Sequence, residues 1–114
     1  MSVFICAVTL AADLNIETEK EILHLIDYLK NSNCQFNRNG SWYDPSKSAD
    51  HLKEKYQYLR KKNLINAAED FIDEVASKSS MSGKPYLVKC GDTRPKESSG
   101  WFMAELVRFR KYNN

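Results

Sequence analysis

The sequence has few of the residues that metal sites and closely spaced turns require. It also has little of the positive charge that a nucleic-acid-binding surface requires. Its 114 residues include 4 glycines, 3 prolines, 3 cysteines and 2 histidines, and its formal net charge is only +2. So small a positive charge does not indicate nucleic-acid binding. Cysteine and histidine lack the spacing of a zinc-ligand set, and we find no phosphate-cradling loop or nucleophile motif. We therefore expect no metal and no cofactor, and composition alone names no activity.

One apolar stretch is present, at the N-terminus, and it covers Val3–Ala12. Thr9 and Ala11 supply the small residues of a signal-peptidase site, with cleavage after Ala11. The first basic residue is Lys20, so the usual positive start of a signal is missing, and a buried first strand is the alternative. The stretch is too short to span a membrane, which takes about 20 residues. We expect a signal peptide over residues 1–11, a single domain over residues 12–114, and a periplasmic or secreted protein.

Cys34 and Cys90 are the cysteines that would remain after this cleavage. Two cysteines in an exported domain usually pair, because the compartment is oxidising. We therefore predict a disulfide between them, which would join an early hairpin to a late strand. The bridge would close the loop between residues 34 and 90, and in the chain-entropy model a loop of that length contributes about 4 kcal/mol.

Four segments have the apolar spacing of amphipathic helices. In the first of these, Ile22, Leu25, Ile26 and Leu29 lie on one face. Each segment begins near residues that favour a helix N-terminus. These residues are Thr18 with Glu21, Asp44 with Pro45, Asn66 with Glu69, and Ser98 or Ser99.

Strands are predicted at two places. Asn39-Gly40 favours a tight type I′ turn, so the residues on either side should form a hairpin, with Phe36 and either Trp42 or Tyr43 on its core face. Residues 86–90 read as a later strand, which the disulfide would bring beside the hairpin. We expect an α+β fold of about four helices packed on a three-stranded antiparallel sheet, made of the hairpin and the late strand.

Four motifs in order resemble the YfeK-like family of small exported proteobacterial proteins. They are Phe36-x-Arg38-Asn39-Gly40-x-x-Tyr43, the run Ala49–Lys55, the run Ala68–Ile72, and a serine-rich stretch from Ala76 to Tyr86. The resemblance covers nearly all of the chain after residue 12. It implies a bacterial, exported protein, and it implies no chemistry, because the family has no established activity.

Several polar residues fall near the ends of predicted elements, where side chains can share a pocket. The candidate binding residues are Arg38, Trp42, His51, Lys55, Glu69, Ser79, Ser80 and Ser82. Each also has a structural explanation. Glu69 suits a helix cap, the serines suit backbone caps in a turn, and Arg38 suits a bridge to a carboxylate.

Two functions are compatible with these residues. We expect a binding module that recognises a protein or a cell-envelope component, without nucleic acid and without stable membrane insertion after signal removal. The alternative is a hydrolase-like enzyme, in which His51 acts as general base for a serine of the 79–82 loop and Asp70 orients the imidazole. Ser82 has Met81 before it rather than the glycine of a nucleophile elbow, so we expect no enzyme.

Overall fold

A computed structural model describes residues 15–113 of the chain. The predicted signal peptide, residues 1–11, lies outside the described residues. The α+β class is confirmed for the described part. Its elements follow in chain order: α1 (Ile16–Lys30), β1 (Gln35–Arg38), β2 (Ser41–Tyr43), α2 (Pro45–Lys61), α3 (Ala68–Asp70, continued by a π-helical turn over Phe71–Val75), β3 (Leu87–Lys89), β4 (Lys96–Glu97) and α4 (Ser98–Tyr112).

The strands form one antiparallel sheet in the order β2-β1-β3-β4. The prediction of three strands was therefore wrong, because β4 adds a fourth. This strand is only two residues long, and both Lys96 and Glu97 are exposed. It has no apolar alternation for a sequence pattern to reveal, and it forms by pairing with the edge of β3.

The β1–β2 hairpin has the predicted turn. Asn39 and Gly40 both take positive φ angles, 52° and 90°, as a type I′ turn requires. The register pairs Phe36 with Tyr43 and Asn37 with Trp42. Because side chains alternate across a sheet, Tyr43 shares the core face with the buried Phe36, and Trp42 lies on the opposite face.

The predicted disulfide joins Cys34 and Cys90, with their Cα atoms 4.2 Å apart. Gln35 pairs with Lys89 in the β1–β3 ladder, and the bridge lies directly beyond this pair. It therefore links the N-terminal end of β1 to the C-terminal end of β3. These are the two central strands of the sheet.

Three of the four predicted helix caps were wrong, those of α1, α3 and α4. Helix α1 begins earlier than Thr18, because the side chain of Asn15 accepts a hydrogen bond from the Glu17 amide at 2.7 Å. At the start of α3, Asp70 rather than Glu69 is the capping carboxylate. It accepts from the amides of Asn66 and Ala67 at 2.8 and 3.1 Å.

The start of α4 also differs from the prediction. Its N-cap residue is Glu97, and no side chain caps it. The buried Ser98 instead donates its hydroxyl to the carbonyl of Ala76, and its amide donates to the carbonyl of Tyr86 at 2.9 Å. Ser98 thus ties α4 to the segment after α3 and to the residue before β3.

The core lies between the helices and one face of the sheet. The predicted α1 stripe is buried at all four positions. Tyr56 of α2, Phe71 of the π-helical turn and Phe102 of α4 meet edge to face, with ring centroids 5.9 and 6.1 Å apart, an arrangement that aromatic side chains favour. Within residues 15–113, none of the helices combines the length and apolar composition needed to cross a bilayer.

Candidate functional site

Two of the predicted site residues, His51 and Lys55, lie against Tyr86. They are four residues apart on α2, so both project from the same side of the helix. The His51 ring meets the Tyr86 ring edge-on, with centroids 6.5 Å apart. The Lys55 Nζ donates to the Tyr86 hydroxyl at 3.4 Å and lies 5.2 Å from the ring centroid. Tyr86 itself is buried, and both basic side chains lie against it.

Arg38 reaches the same place from the sheet. The β1–β3 ladder pairs Asn37 with Leu87, and continuing that register by one residue puts Arg38 across from Tyr86. The Arg38 guanidinium carbon lies 4.5 Å from the centre of the Tyr43 ring, within the range of a cation–π interaction. We call Arg38, His51 and Lys55 the cationic cluster. It lies at the end of the central strands opposite the disulfide.

Arg38 differs from three other arginines in having no carboxylate partner among the described residues. Arg60 pairs with Glu19, Arg108 with Glu105, and Arg110 with Glu21 and Glu69. The expectation that Arg38 bridges to a carboxylate is therefore wrong within residues 15–113. Its Nε atom is buried and has no hydrogen-bond partner there, although burying a charged donor without a partner is costly.

Within the cluster, the charge of Arg38 acts on both His51 and Lys55. Burial lowers the pKa of His51 below 6.5, and the charges of Arg38 and Lys55 lower it further, against the opposing charge of Glu54. Burial also lowers the pKa of Lys55, an effect that Glu74 opposes and Arg38 increases. All three side chains are half-buried, so their repulsion is less screened than at an open surface.

The serine loop, residues 78–85, lies beside the cluster. Lys55 donates to the carbonyl of Lys78 at 2.9 Å. Ser79 is buried, and its hydroxyl oxygen accepts from the amides of Met81 and Ser82 at 3.2 Å each. The Ser82 hydroxyl donates to the side-chain oxygen of Asn39 at 2.6 Å. These bonds join the loop to the β1–β2 turn, next to Arg38.

A shallow depression of about 560 Å³ adjoins this loop. Asp73 and Glu74 line it together with residues 77–80 and Gly83. Ser80 is exposed and lines this depression, whose charged residues are Asp73, Glu74 and Lys78.

Glu69 and Trp42 are outside the cluster. The Glu69 carboxylate accepts from both terminal nitrogens of Arg110 at 2.6 and 3.0 Å, and this bond is the main cause of its lowered pKa. Arg110 also binds both carboxylate oxygens of Glu21 at 2.9 Å, so Glu69 belongs to an ion-pair network that joins α1, α3 and α4. Trp42 lies on the opposite face of the sheet from Arg38.

Sequence reasoning missed the two tyrosines of the site. The sequence pattern predicts either Trp42 or Tyr43 on the core face of the hairpin and Tyr86 in a strand, and it indicates no role for either tyrosine in a site. The alternation of side chains along the hairpin could have indicated Tyr43. It places Arg38 on the same face as Phe36, and Tyr43 is the ladder partner of Phe36. The role of Tyr86 depends on the register between β1 and β3, which no local pattern gives.

Neither a metal site nor a serine–histidine pair is formed in the described part of the chain. Within residues 15–113, no group of three or more His, Cys, Asp and Glu side chains is placed to hold a metal ion. Among the hydrogen bonds of the same residues, none joins His51 to Ser79, Ser80 or Ser82. The Ser79 and Ser82 hydroxyls bond to the loop backbone and to Asn39.

These observations define a small α+β protein whose central strands carry a disulfide at one end and a cluster of three basic side chains at the other. The chain belongs to DUF5329, a family of unknown function whose model matches residues 16–110. It is 38% identical over 76 residues to the uncharacterized protein YfeK of Salmonella typhimurium. That match covers 66% of this chain and 62% of the relative, which is less than two thirds of the relative's length. The predicted resemblance to the YfeK-like family is confirmed. No solved structure matches the chain at a significant level.

Proposed function

We propose that this protein is an exported binding module that recognises a protein or a cell-envelope component through the cationic cluster. The observation that carries the proposal is the half-buried Arg38, whose Nε has no partner within residues 15–113. A folded protein ordinarily pairs such a group. An arginine left unpaired beside two further basic side chains is suited to a partner supplied by another molecule.

Export is supported by the disulfide. Bridges such as Cys34–Cys90 persist in oxidising compartments and are rare in the cytosol. The apolar N-terminal stretch that predicts a signal peptide lies outside the described residues, so the bridge is the structural support for this part of the proposal.

The scaffold favours binding over catalysis. Arg38 ends β1, and Tyr86 immediately precedes β3. The disulfide crosslinks the other ends of these two strands. A crosslinked strand pair holds the cluster in position before a partner arrives, which lowers the entropic cost of binding. We assign no reaction to the cluster, because no nucleophile contacts His51 among the described residues.

Site-specific photocrosslinking tests this proposal. A benzoylphenylalanine at Ser41, the exposed ladder partner of Arg38, should give one discrete adduct when the full chain is expressed in cells of its native host. The control position is Val107 of α4, which is 59% exposed and lies outside the cluster. We expect no adduct from Val107, and we expect Arg38→Gln to abolish the adduct from Ser41. An adduct that persists in Arg38→Gln, equal adducts from both positions, or no adduct from Ser41 would contradict the proposal.

A further inference from the structure

We infer that the cationic cluster is a binding site for a phosphate group. This inference rests on the proposed function, since it names the chemistry recognised at the same site. Arg38, His51 and Lys55 approach Tyr86 from two different elements, β1 and α2. They therefore surround one small region instead of forming a row along a single solvated helix face.

The charge of the cluster is larger than one carboxylate would balance. Arg38 is a permanent cation, Lys55 supplies an ammonium group, and His51 is a third basic group that can gain a proton. Glu54 and Glu74 act on His51 and Lys55, but no carboxylate pairs with Arg38 within residues 15–113. A phosphate group carries up to two negative charges and three acceptor oxygens, whereas a carboxylate carries one charge and two oxygens.

The hydrogen-bonding state of Arg38 indicates the same class of ligand. Its Nε–H is buried and without a partner. Arginine presents a planar set of donors that matches the oxygens of phosphate. A bound phosphate oxygen would satisfy the unpaired donor and neutralise the guanidinium in the same contact.

The aromatic surroundings strengthen such a contact. Tyr43 lies under the Arg38 guanidinium, and Tyr86 lies under Lys55. These rings displace water from one side of each cation, and charges attract more strongly where the local dielectric constant is low. The three basic side chains are only half-buried, so an anion can still reach them from solvent.

Inorganic phosphate is the probe for this site. We would titrate the full chain with phosphate at constant ionic strength and follow backbone amides and histidine ring signals by NMR. We expect saturable shifts at Arg38, His51 and Lys55, and a raised pKa for His51 because a bound anion favours its protonated form. The ring signals of His24, which lies against Glu105 and Phe109, should not move.

Variants that each remove one positive charge distinguish a specific phosphate site from nonspecific electrostatic attraction. We expect Arg38→Gln and Lys55→Gln each to weaken phosphate binding at least about tenfold, since each removes a charge-assisted bond. Arg94→Gln removes the same charge from an exposed loop residue and should leave the affinity unchanged. Linear, unsaturable shifts, an equal loss in Arg94→Gln, or acetate binding as tightly as phosphate would overturn the inference.

A phosphate bound at this site can be the free ion or part of a larger molecule, and glycerol 3-phosphate distinguishes the two. Binding of the ester at least as tightly as inorganic phosphate identifies a site for a phosphate attached to a larger molecule, whereas rejection of the ester identifies a site for the free ion.

Failure of this inference is distinguishable from failure of the proposed function. An Arg38-dependent crosslink from Ser41 without phosphate binding would overturn the phosphate assignment and keep the binding module. Phosphate binding without a crosslink would keep the phosphate assignment and overturn the proposal that the protein recognises a protein or a cell-envelope component.

Discussion

Arg38 and Arg110 have the same chemical group in different surroundings. Arg110 is bound by two carboxylates, those of Glu21 and Glu69, and this raises its pKa. Arg38 has an aromatic ring on one side and an unpaired, buried Nε. The first arrangement stabilises the fold, while the second leaves hydrogen-bonding capacity for a ligand. The same contrast explains why Glu69, although polar and near a helix end, is a structural residue.

His51 makes the stability of the protein depend on pH. Its pKa is lowered in the folded state by burial, by Arg38 of β1 and by Lys55 of α2, with Glu54 opposing. Well above pH 6.5 the imidazole is neutral in both the folded and the unfolded states. As the pH falls below 6.5, the unfolded chain binds the proton first, so the free energy of unfolding decreases until the folded imidazole is also protonated.

Urea unfolding between roughly pH 7.5 and pH 5, on either side of the ordinary histidine pKa, measures this effect. We expect the unfolding free energy of the wild type to decrease over this range and that of His51→Gln to decrease less. Equal slopes in the two proteins would show that His51 is not held in its neutral form by the fold.

At the scale of elements, α3 shows how a short helix is stabilised. It has three α-helical residues before the π-helical turn begins, too few to be stable without caps. The Asp70 carboxylate caps it by accepting from two amides. The π-helical turn closes where the Ala76 amide donates to the Phe71 carbonyl at 3.1 Å.

Removing this cap should be measurable. We expect Asp70→Ala to lower the free energy of unfolding by about 1 kcal/mol, which is typical for the loss of a capping side chain. Asp73→Ala is the matched control, because Asp73 is exposed and has no hydrogen bond among the described residues. Its effect should stay within about 0.5 kcal/mol. Equal effects of the two substitutions, measured by urea unfolding, would contradict the assignment of the cap to Asp70.

The elements that could be predicted from sequence are those with a local signal. The apolar stripe of α1, the Asp44-Pro45 start of α2 and the Asn39-Gly40 turn each depend on residues close together in the chain, and each is present. The strand β4 could not be predicted, because it forms only through pairing with β3. The exchange of roles between Glu69 and Asp70 was also hidden, since it depends on the distant Arg110.

The candidate site could likewise be predicted only in part. Arg38 was identified from the hairpin, and His51 with Lys55 from their helical spacing. Their approach to Tyr86 required the β1–β3 register and the packing of α2, both of which are tertiary. Disulfide pairing was the one long-range contact that sequence predicted directly, because cysteine has a specific partner.

At the scale of the whole molecule, ion pairs join the helices to one another. The Glu21–Arg110–Glu69 network joins three helices, and Glu105 pairs with His24 and Arg108. The cationic cluster lies at the sheet end, and none of its three residues forms an ion pair among the described residues. A protein that keeps unbalanced charge for binding loses some stability in the absence of its ligand.

The free energy of unfolding of Arg38→Met, measured without ligand beside Arg110→Met, tests the central claim most directly. Because Arg38 has no charge partner among the described residues, we expect its replacement to leave stability within about 0.5 kcal/mol of the wild type or to increase it, the lost cation–π contact being small. Arg110→Met should lose about 1 to 2 kcal/mol, since it leaves Glu21 and Glu69 without their partner. A loss of about 2 kcal/mol or more in Arg38→Met would show that Arg38 is a structural residue and would contradict a binding site built around it.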